Sequence, residues 1–244
     1  MTITSPKPAD SGFFHSFMTA MAKPAATAAL ALGIGLAGVL AGTPARAASD
    51  QQAIKFVEDL GAEAIDVISD KSAGKSAMED NFQTLLRENA DLKKIAAFSL
   101  GRYVRTPDQA QKAEYLDLFE TFIVKVYVTR LSDYNDEKFD VTGAQEKGSK
   151  GREVIVSSQI KFTNGRPPVD VKWWVLREGD GFKVFDVNVA GIWLAQEQRD
   201  QFTSILNSNN GDFSALLSHL KEKIGQAEKG NVDAAMTGGD TSTN

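Results

Sequence analysis

The stretch from Thr106 to about Tyr134 limits the fold more than any other part of this chain. Thr106-Pro107-Asp108-Gln109 reads as a helix start. Thr would be the N-cap, Pro would take the first helical position, where its missing N–H does no harm, and Gln follows three residues after the cap. The helix that follows spans about seven turns. It carries Tyr115, Leu116, Leu118, Phe119, Phe122, Ile123, Val126, Tyr127, Val128, Leu131 and Tyr134. That set covers more than the ~100° apolar stripe of a surface helix. The spacing therefore predicts a helix covered on two sides, by other helices and by a sheet.

Downstream the period changes to that of strands. Residues 138–145, 152–162, 169–176 and 182–189 are rich in β-branched and aromatic residues. Short turns at 147–151, 164–167 and 179–181 separate them, which suits hairpins and an antiparallel meander. Val154, Val156, Ser158, Ile160 and Phe162 share one face of the second strand, and Glu153, Ser157, Gln159 and Lys161 lie on the other, interrupted by Ile155. One face is expected to be buried and the other mostly wet.

Helices flank this unit. Ser49-Asp50 is placed to cap a helix bearing Ile54, Val57, Leu60, Ala64, Ile65 and Ile68. A second helix should run from about Ser76 to Glu88, and Asp91 should cap a short one ending before Gly101. After Gly191 two more are expected, Leu194 to Leu206 and Asp212 to about Ala227. The expected class is α+β: a helical layer packed on a four-stranded antiparallel sheet, with N-terminal and C-terminal helices.

The N-terminus reads as a leader. Lys23 precedes the apolar run Ala25 to Gly42, and Ala45-Arg46-Ala47 is an A-x-A cleavage signature. We expect residues 1–47 to be a signal peptide, 48–228 one folded domain and 229–244 a disordered tail. An uncleaved membrane anchor is the alternative. Removing the leader takes Lys+Arg from 27 to 24 and Asp+Glu from 32 to 31, so the net charge moves from −5 to −7. An acidic chain gains nothing from a phosphate backbone, so nucleic acid is not an expected partner.

Motifs that carry chemistry are few. The chain has no cysteine, which excludes disulfides, thiolate metal sites and Cys nucleophiles. Gly33-Ile34-Gly35-Leu36-Ala37-Gly38 matches a dinucleotide fingerprint, but it sits inside the leader with no strand before it. His219 is the one histidine after the leader; it could serve as a general base, but a lone histidine there is more often a boundary or surface residue. There is no HExxH, GxSxG or P-loop, and no catalytic residue, metal or cofactor is expected. Asp186 interrupts the apolar strand Val184-Phe185-Asp186-Val187. It would be a proton-abstracting base if it faced a buried cavity. The favoured reading places it on the wet face or paired with Arg or Lys.

Three segments together resemble the periplasmic MlaC family, also called the toluene-tolerance (Ttg2-type) family. They are Leu100-Gly101-Arg102-Tyr103-Val104-Arg105 with the following Thr106-Pro107 helix, the run Phe119, Tyr127, Leu131, Tyr134, and the stretch from Phe182 to Gly191 leading into a helix with Arg199 and Phe202. Trp193 stands where the family pattern usually has Ser. The resemblance implies an NTF2-like arrangement, with acyl tails held between helices and sheet. It also implies a soluble shuttle moving phospholipid between an outer-membrane lipoprotein-porin complex and an inner-membrane ABC transporter complex, maintaining outer-membrane asymmetry. Rival readings are a carrier for another lipid, such as a hopanoid, a cavity enzyme using Asp186, and a membrane-tethered interaction protein.

A carrier needs no catalytic groups. Two acyl chains hold about 30 methylenes, each worth ~0.8 kcal/mol out of water, so a lipid monomer needs a shield to cross an aqueous gap. The expected pocket wall is Phe119, Phe122 and Val126 from the long helix with Val156, Ile160, Trp174 and Leu176 from the sheet. A one-residue error in register would invert the sheet residues. The reading also requires room for hydrocarbon between the long helix and the sheet.

Overall fold

The structure is a computed structural model describing residues 44–70, 72–131, 138–149, 151–163 and 165–231. The expected leader up to residue 43, the helix end near Tyr134 and the tail from residue 232 lie outside the described residues.

Among the described residues, seven segments are helical. Helix α1 is Pro44–Ser69, α2 Gly74–Asn89, α3 Leu92–Ser99 and α4 Gln109–Leu131, with a 3₁₀ turn Gly101–Arg105 between α3 and α4. After the strands come α5, Leu194–Ser208, and α6, Phe213–Glu228. Strands β1 (Lys138–Lys147), β2 (Glu153–Lys161), β3 (Val169–Glu178) and β4 (Gly181–Val189) form the antiparallel meander. The sheet has five strands rather than four. Ala190 (φ 51°) and Gly191 (φ 97°) fold the chain back at the end of β4, so Ile192–Trp193 pairs with Val189 and Asn188 as β5.

Two helix starts differ from the expected ones. Helix α1 already runs from Pro44, the first described residue, so Ser49 and Asp50 lie within it rather than capping it. Helix α4 begins two residues later than Thr106 suggested. Asp108 Oδ1 accepts from Gln111 N (2.8 Å) while Gln111 Oε1 accepts from Asp108 N (3.1 Å). This reciprocal pair is a capping box of the expected spacing set two residues further along, and Pro107 sits just outside it. The Asp91 cap forms as expected, accepting from Lys94 N at 3.0 Å. Asp212 caps α6 through Ser214 N at 2.9 Å.

Helix α4 is covered on two sides, and two separate cores result. Tyr115, Phe119, Phe122 and Val126 face α3, α5 and α6, packing with Phe202, Leu206, Phe213, Leu216 and Leu220. Edge-to-face ring contacts join Tyr115 to Phe202 and Phe213, and Phe119 to Phe202. Val124 and Val128 face the other way, toward the sheet, with α1 and α2 beside them.

The sheet is not wet on its second face throughout. Around β4 that face is covered by α3 and α5, where Phe98 meets Phe185 (5.3 Å between ring centroids) and Trp174 meets Phe185 (4.9 Å) and Trp193 (6.1 Å). The irregularity between Trp174 and Val175 in the β3–β4 register adds Phe185 as an extra residue on this face.

Candidate functional site

Strand alternation builds the site. Val154 and Val156 of β2 are fully buried, and antiparallel pairing puts Val175 and Trp173 of β3 directly opposite them. Val184 pairs with Val175 and Val187 with Trp173, while Ala144 of β1 stands beside Val156. Directly paired residues share a face, so these side chains form one apolar surface. Ala53, Val57 and Leu60 of α1 close over it at helical spacing, and Met78, Phe82 and Leu85 of α2 do the same. Each fully buried Val, Leu or Phe here contributes ~1.5–3 kcal/mol.

The Trp173 indole and the Ser158 hydroxyl in this layer are satisfied within the sheet. Trp173 Nε1 donates to Ser158 Oγ (2.9 Å), which in turn donates to the Val171 carbonyl (3.2 Å). What remains toward the helices is hydrocarbon. Along the α1–β1 edge the cover is incomplete, and Phe56, Ala64, Val67, Phe139, Val141 and Ala144 are only half-buried. The interior itself is filled by side chains of α1, α2 and α4, rather than being an open gap.

The two covering helices are held differently. Glu79 of α2 takes Lys125 of α4 at 2.7 Å, and Glu120 of α4 takes Gln83 and Arg87 of α2, each at 2.6 Å. The hydrogen bond and charge of Glu79 raise the Lys125 pKa above its ordinary value. Backbone pairing of Ala90 and Asp91 with Val184 further fixes the end of α2. On α1, Ala53, Val57 and Leu60 pack on the sheet through apolar contacts, and Arg177 reaches Gln52 at 3.5 Å.

The expected pocket residues do not form one wall. Phe119, Phe122 and Val126 sit in the all-helical core, away from the sheet. Val156 lies in the sheet-side core, and Ile160 is half-buried further along the same face, opposite Phe139 and Val169. Trp174 and Leu176 are on the other face, Trp174 lying under Lys147 Nζ at 2.9 Å from its ring centroid. Strand β2 stops at Lys161, leaving Phe162 beyond it. The side chains that do face the layer, Val124 and Val128 of α4 and Trp173 and Val175 of β3, were carried by the same periodicities. On a helix whose apolar residues cover more than one face, nothing local tells 122/126 from 124/128. On the sheet, only the pairing of Val156 with Trp173 tells one tryptophan from the next.

Asp186 is neither solvated nor paired with a cation. It is 5% exposed, and its Oδ1 accepts from Val187 N and from Ala195 N, each at 2.8 Å. Ala195 is in the first turn of α5, whose N-cap, Trp193, has no side-chain acceptor. The carboxylate thus caps α5 from the neighbouring strand, at the positive end of its dipole. Burial pushes its pKa up, against the pull of the backbone N–H groups of Ala195, Val187, Gln196 and Leu194.

A cleft of about 280 Å³ lies between α3 and α4, lined by Leu92, Lys93, Ala113, Leu116, Asp117, Phe119 and Glu120. It falls below the ~300–1,000 Å³ of ordinary small-molecule pockets. No described helix is long and apolar enough to cross a membrane.

The family described as MlaC protein matches residues 58–222. The intermembrane phospholipid transport system binding protein MlaC of Haemophilus influenzae is 21% identical over 169 residues, covering 66% of this chain and 78% of that protein. Toluene tolerance protein ttg2D of Pseudomonas putida is 25% identical over 124 residues, 51% of this chain and 55% of its own. A phospholipid-binding protein from Ralstonia solanacearum, solved in complex with a phospholipid, shares the fold with a TM-score of 0.62 and 22% identity, over 73% of this chain and 99% of that one. With more than half of its length inside the family match and its fold shared with that structure, this chain belongs to the MlaC, or toluene-tolerance, family.

Proposed function

We infer that this protein is a phospholipid carrier of the periplasm, exported by its leader, and that the acyl tails occupy the layer between the sheet and helix α1. The apolar surface built from Val154, Val156, Trp173, Val175 and Val184, half-open along the α1–β1 edge, carries the reading. Tails entering there displace α1 side chains and exchange one hydrocarbon contact for another, so the net cost of opening stays small. The headgroup remains in water at the edge. The relatives named for phospholipid transport and phospholipid binding support this assignment.

On the same reading, cargo passes between an outer-membrane lipoprotein-porin complex and an inner-membrane ABC transporter complex, which maintains outer-membrane lipid asymmetry. Shielding and hand-off both proceed without bond chemistry. The acidic chain, at net −7 without its leader, favours docking to proteins over adsorption to anionic lipid.

Photo-crosslinking tests the site. Benzoylphenylalanine in place of Phe139 should crosslink to co-purified phospholipid, while the same residue in place of Phe119 should not. Mass spectrometry of the adducts also reports the lipid class, including a hopanoid. Crosslinking at Phe119 and none at Phe139 would move the site to the helical core. Absence of any bound lipid in protein purified from the periplasm would end the carrier reading.

A further inference from the structure

The geometry points to a second functional surface: the 3₁₀ turn Gly101–Arg105 and the facing stripe of α5 form a docking face for an acidic region of a protein partner. Arg102 donates to the Tyr103 hydroxyl (3.1 Å) and to Asn207 Oδ1, and its guanidinium carbon lies 5.0 Å from the Tyr103 ring centroid. Arg199, two turns before Asn207 on α5, lies 4.9 Å over the Phe98 ring and packs beside Gly101. Arg105 is exposed at the end of the turn. None of the three guanidinium groups has a carboxylate within salt-bridge distance among the described residues. Val104, between two of them, is the single exposed large hydrophobic side chain among the described residues, at 37%.

Aromatic stacking holds a guanidinium in place without neutralising it. Three uncompensated positive charges therefore gather on one face of a chain whose overall balance is acidic. Two of them are fixed, by Tyr103 and Asn207 and by Phe98, so their planar forks are presented ready to take carboxylates in bidentate fashion. Arginine and tyrosine are also the residues that concentrate binding energy at protein interfaces. An anionic membrane would meet the same charges, but the remainder of the acidic chain is repelled there, and one valine offers little area for insertion. On the carrier reading above, the protein has to be recognised where it loads or unloads, and this face lies on the helical layer, apart from the acyl site.

The test titrates the isotope-labelled full chain, exported and purified from the periplasm, with a hexaglutamate peptide at low salt. Phosphatidylglycerol vesicles serve as the second probe. Amide shifts should fall on residues 101–106 and 199–207, and Arg102→Gln with Arg199→Gln should weaken peptide binding about tenfold or more. Melting temperature and co-purified lipid should stay as they were. If the double variant fails to fold, Arg105→Gln, which alters one exposed side chain, should show a smaller loss in the same direction. Shifts confined to other surfaces, binding that these variants leave intact, or a preference of this face for the vesicles would overturn the assignment. Protein that carries no lipid at all would sink the carrier reading on its mass spectrum, while the titration would still decide the docking face.

Discussion

Gly61 of α1 lies so close to Phe139 of β1 that a β-carbon at position 61 would fall 2.4 Å from the ring. At this one point the helix backbone and the ring of the edge strand meet as closely as they can, while the rest of the seam is only half covered, and the ring is in turn held edge-on to Trp173 at 5.9 Å. Gly61→Val should therefore lift α1 from the strand and cost ~1–3 kcal/mol in urea unfolding. Adding Phe139→Ala should recover part of that loss, a coupling a double-mutant cycle would measure. Additive losses would mean the two residues do not press on each other.

Ala53 and Ala96 are both fully buried, one under α1 against the sheet and the other in the helical core. The chain has no cysteine, so a single introduced thiol reports its own site. If α1 is the element that moves, Ala53→Cys should react with a thiol reagent about tenfold faster than Ala96→Cys, by local opening rather than global unfolding. Equal rates would argue that the two cores open only together.

Asp186 has a folded pKa raised above its ordinary value by burial. A carboxyl group of that kind binds its proton more tightly folded than unfolded, so its contribution to stability increases as pH falls through the folded pKa and levels off below the unfolded one. Asp186→Asn removes this titration. The stability of the parent relative to the variant should thus increase as pH is lowered from ~7 to ~4. A difference in melting temperature that stays flat over that window would contradict it. Asp186→Ala should be worse than Asn at every pH, because Ala195 N would lose its acceptor.

The start of α4 offers a sharper contrast. Asp108→Ala should cost ~0.5–2 kcal/mol, the usual loss of an N-cap, whereas Thr106→Ala should stay within ~0.5 kcal/mol. Thermal melts of the two variants would check the capping box seen between Asp108 and Gln111.

How far the sequence revealed this molecule depends on the range of the forces involved. The cap at Asp91, the meander and the two-sided burial of α4 were legible because turn chemistry and periodicity are local properties. The choice between Thr106 and Asp108 was not, since both offer an acceptor three residues before a glutamine or its equivalent, and only the actual hydrogen bonds decide. Strand β5 escaped notice because two residues make no period, and its existence depends on positive φ at Ala190 and Gly191. Alternation puts Val156 on the face that the sheet-side core covers, but it does not tell Trp173 from Trp174, because which residue of a pair faces inward is fixed by the neighbouring strand. Phe119 and Phe122 belong to an apolar surface too wide for periodicity alone to say which part of it meets the sheet. The Asp186 cap joins residues nine apart through a strand reversal that no pattern announced.

The separation of hydrophobic residues into two clusters has a mechanical consequence. Tyr115, Phe119, Phe202, Phe213 and Leu216 bind α4, α5 and α6 into a block whose buried side chains come from the helical segments alone. Such a block can act as ballast: it keeps the backbone of α4 rigid whichever way the opposite side is repacked. A molecule built so can slacken its grip on one side and retain its shape, where a globule with one undivided interior would begin to melt.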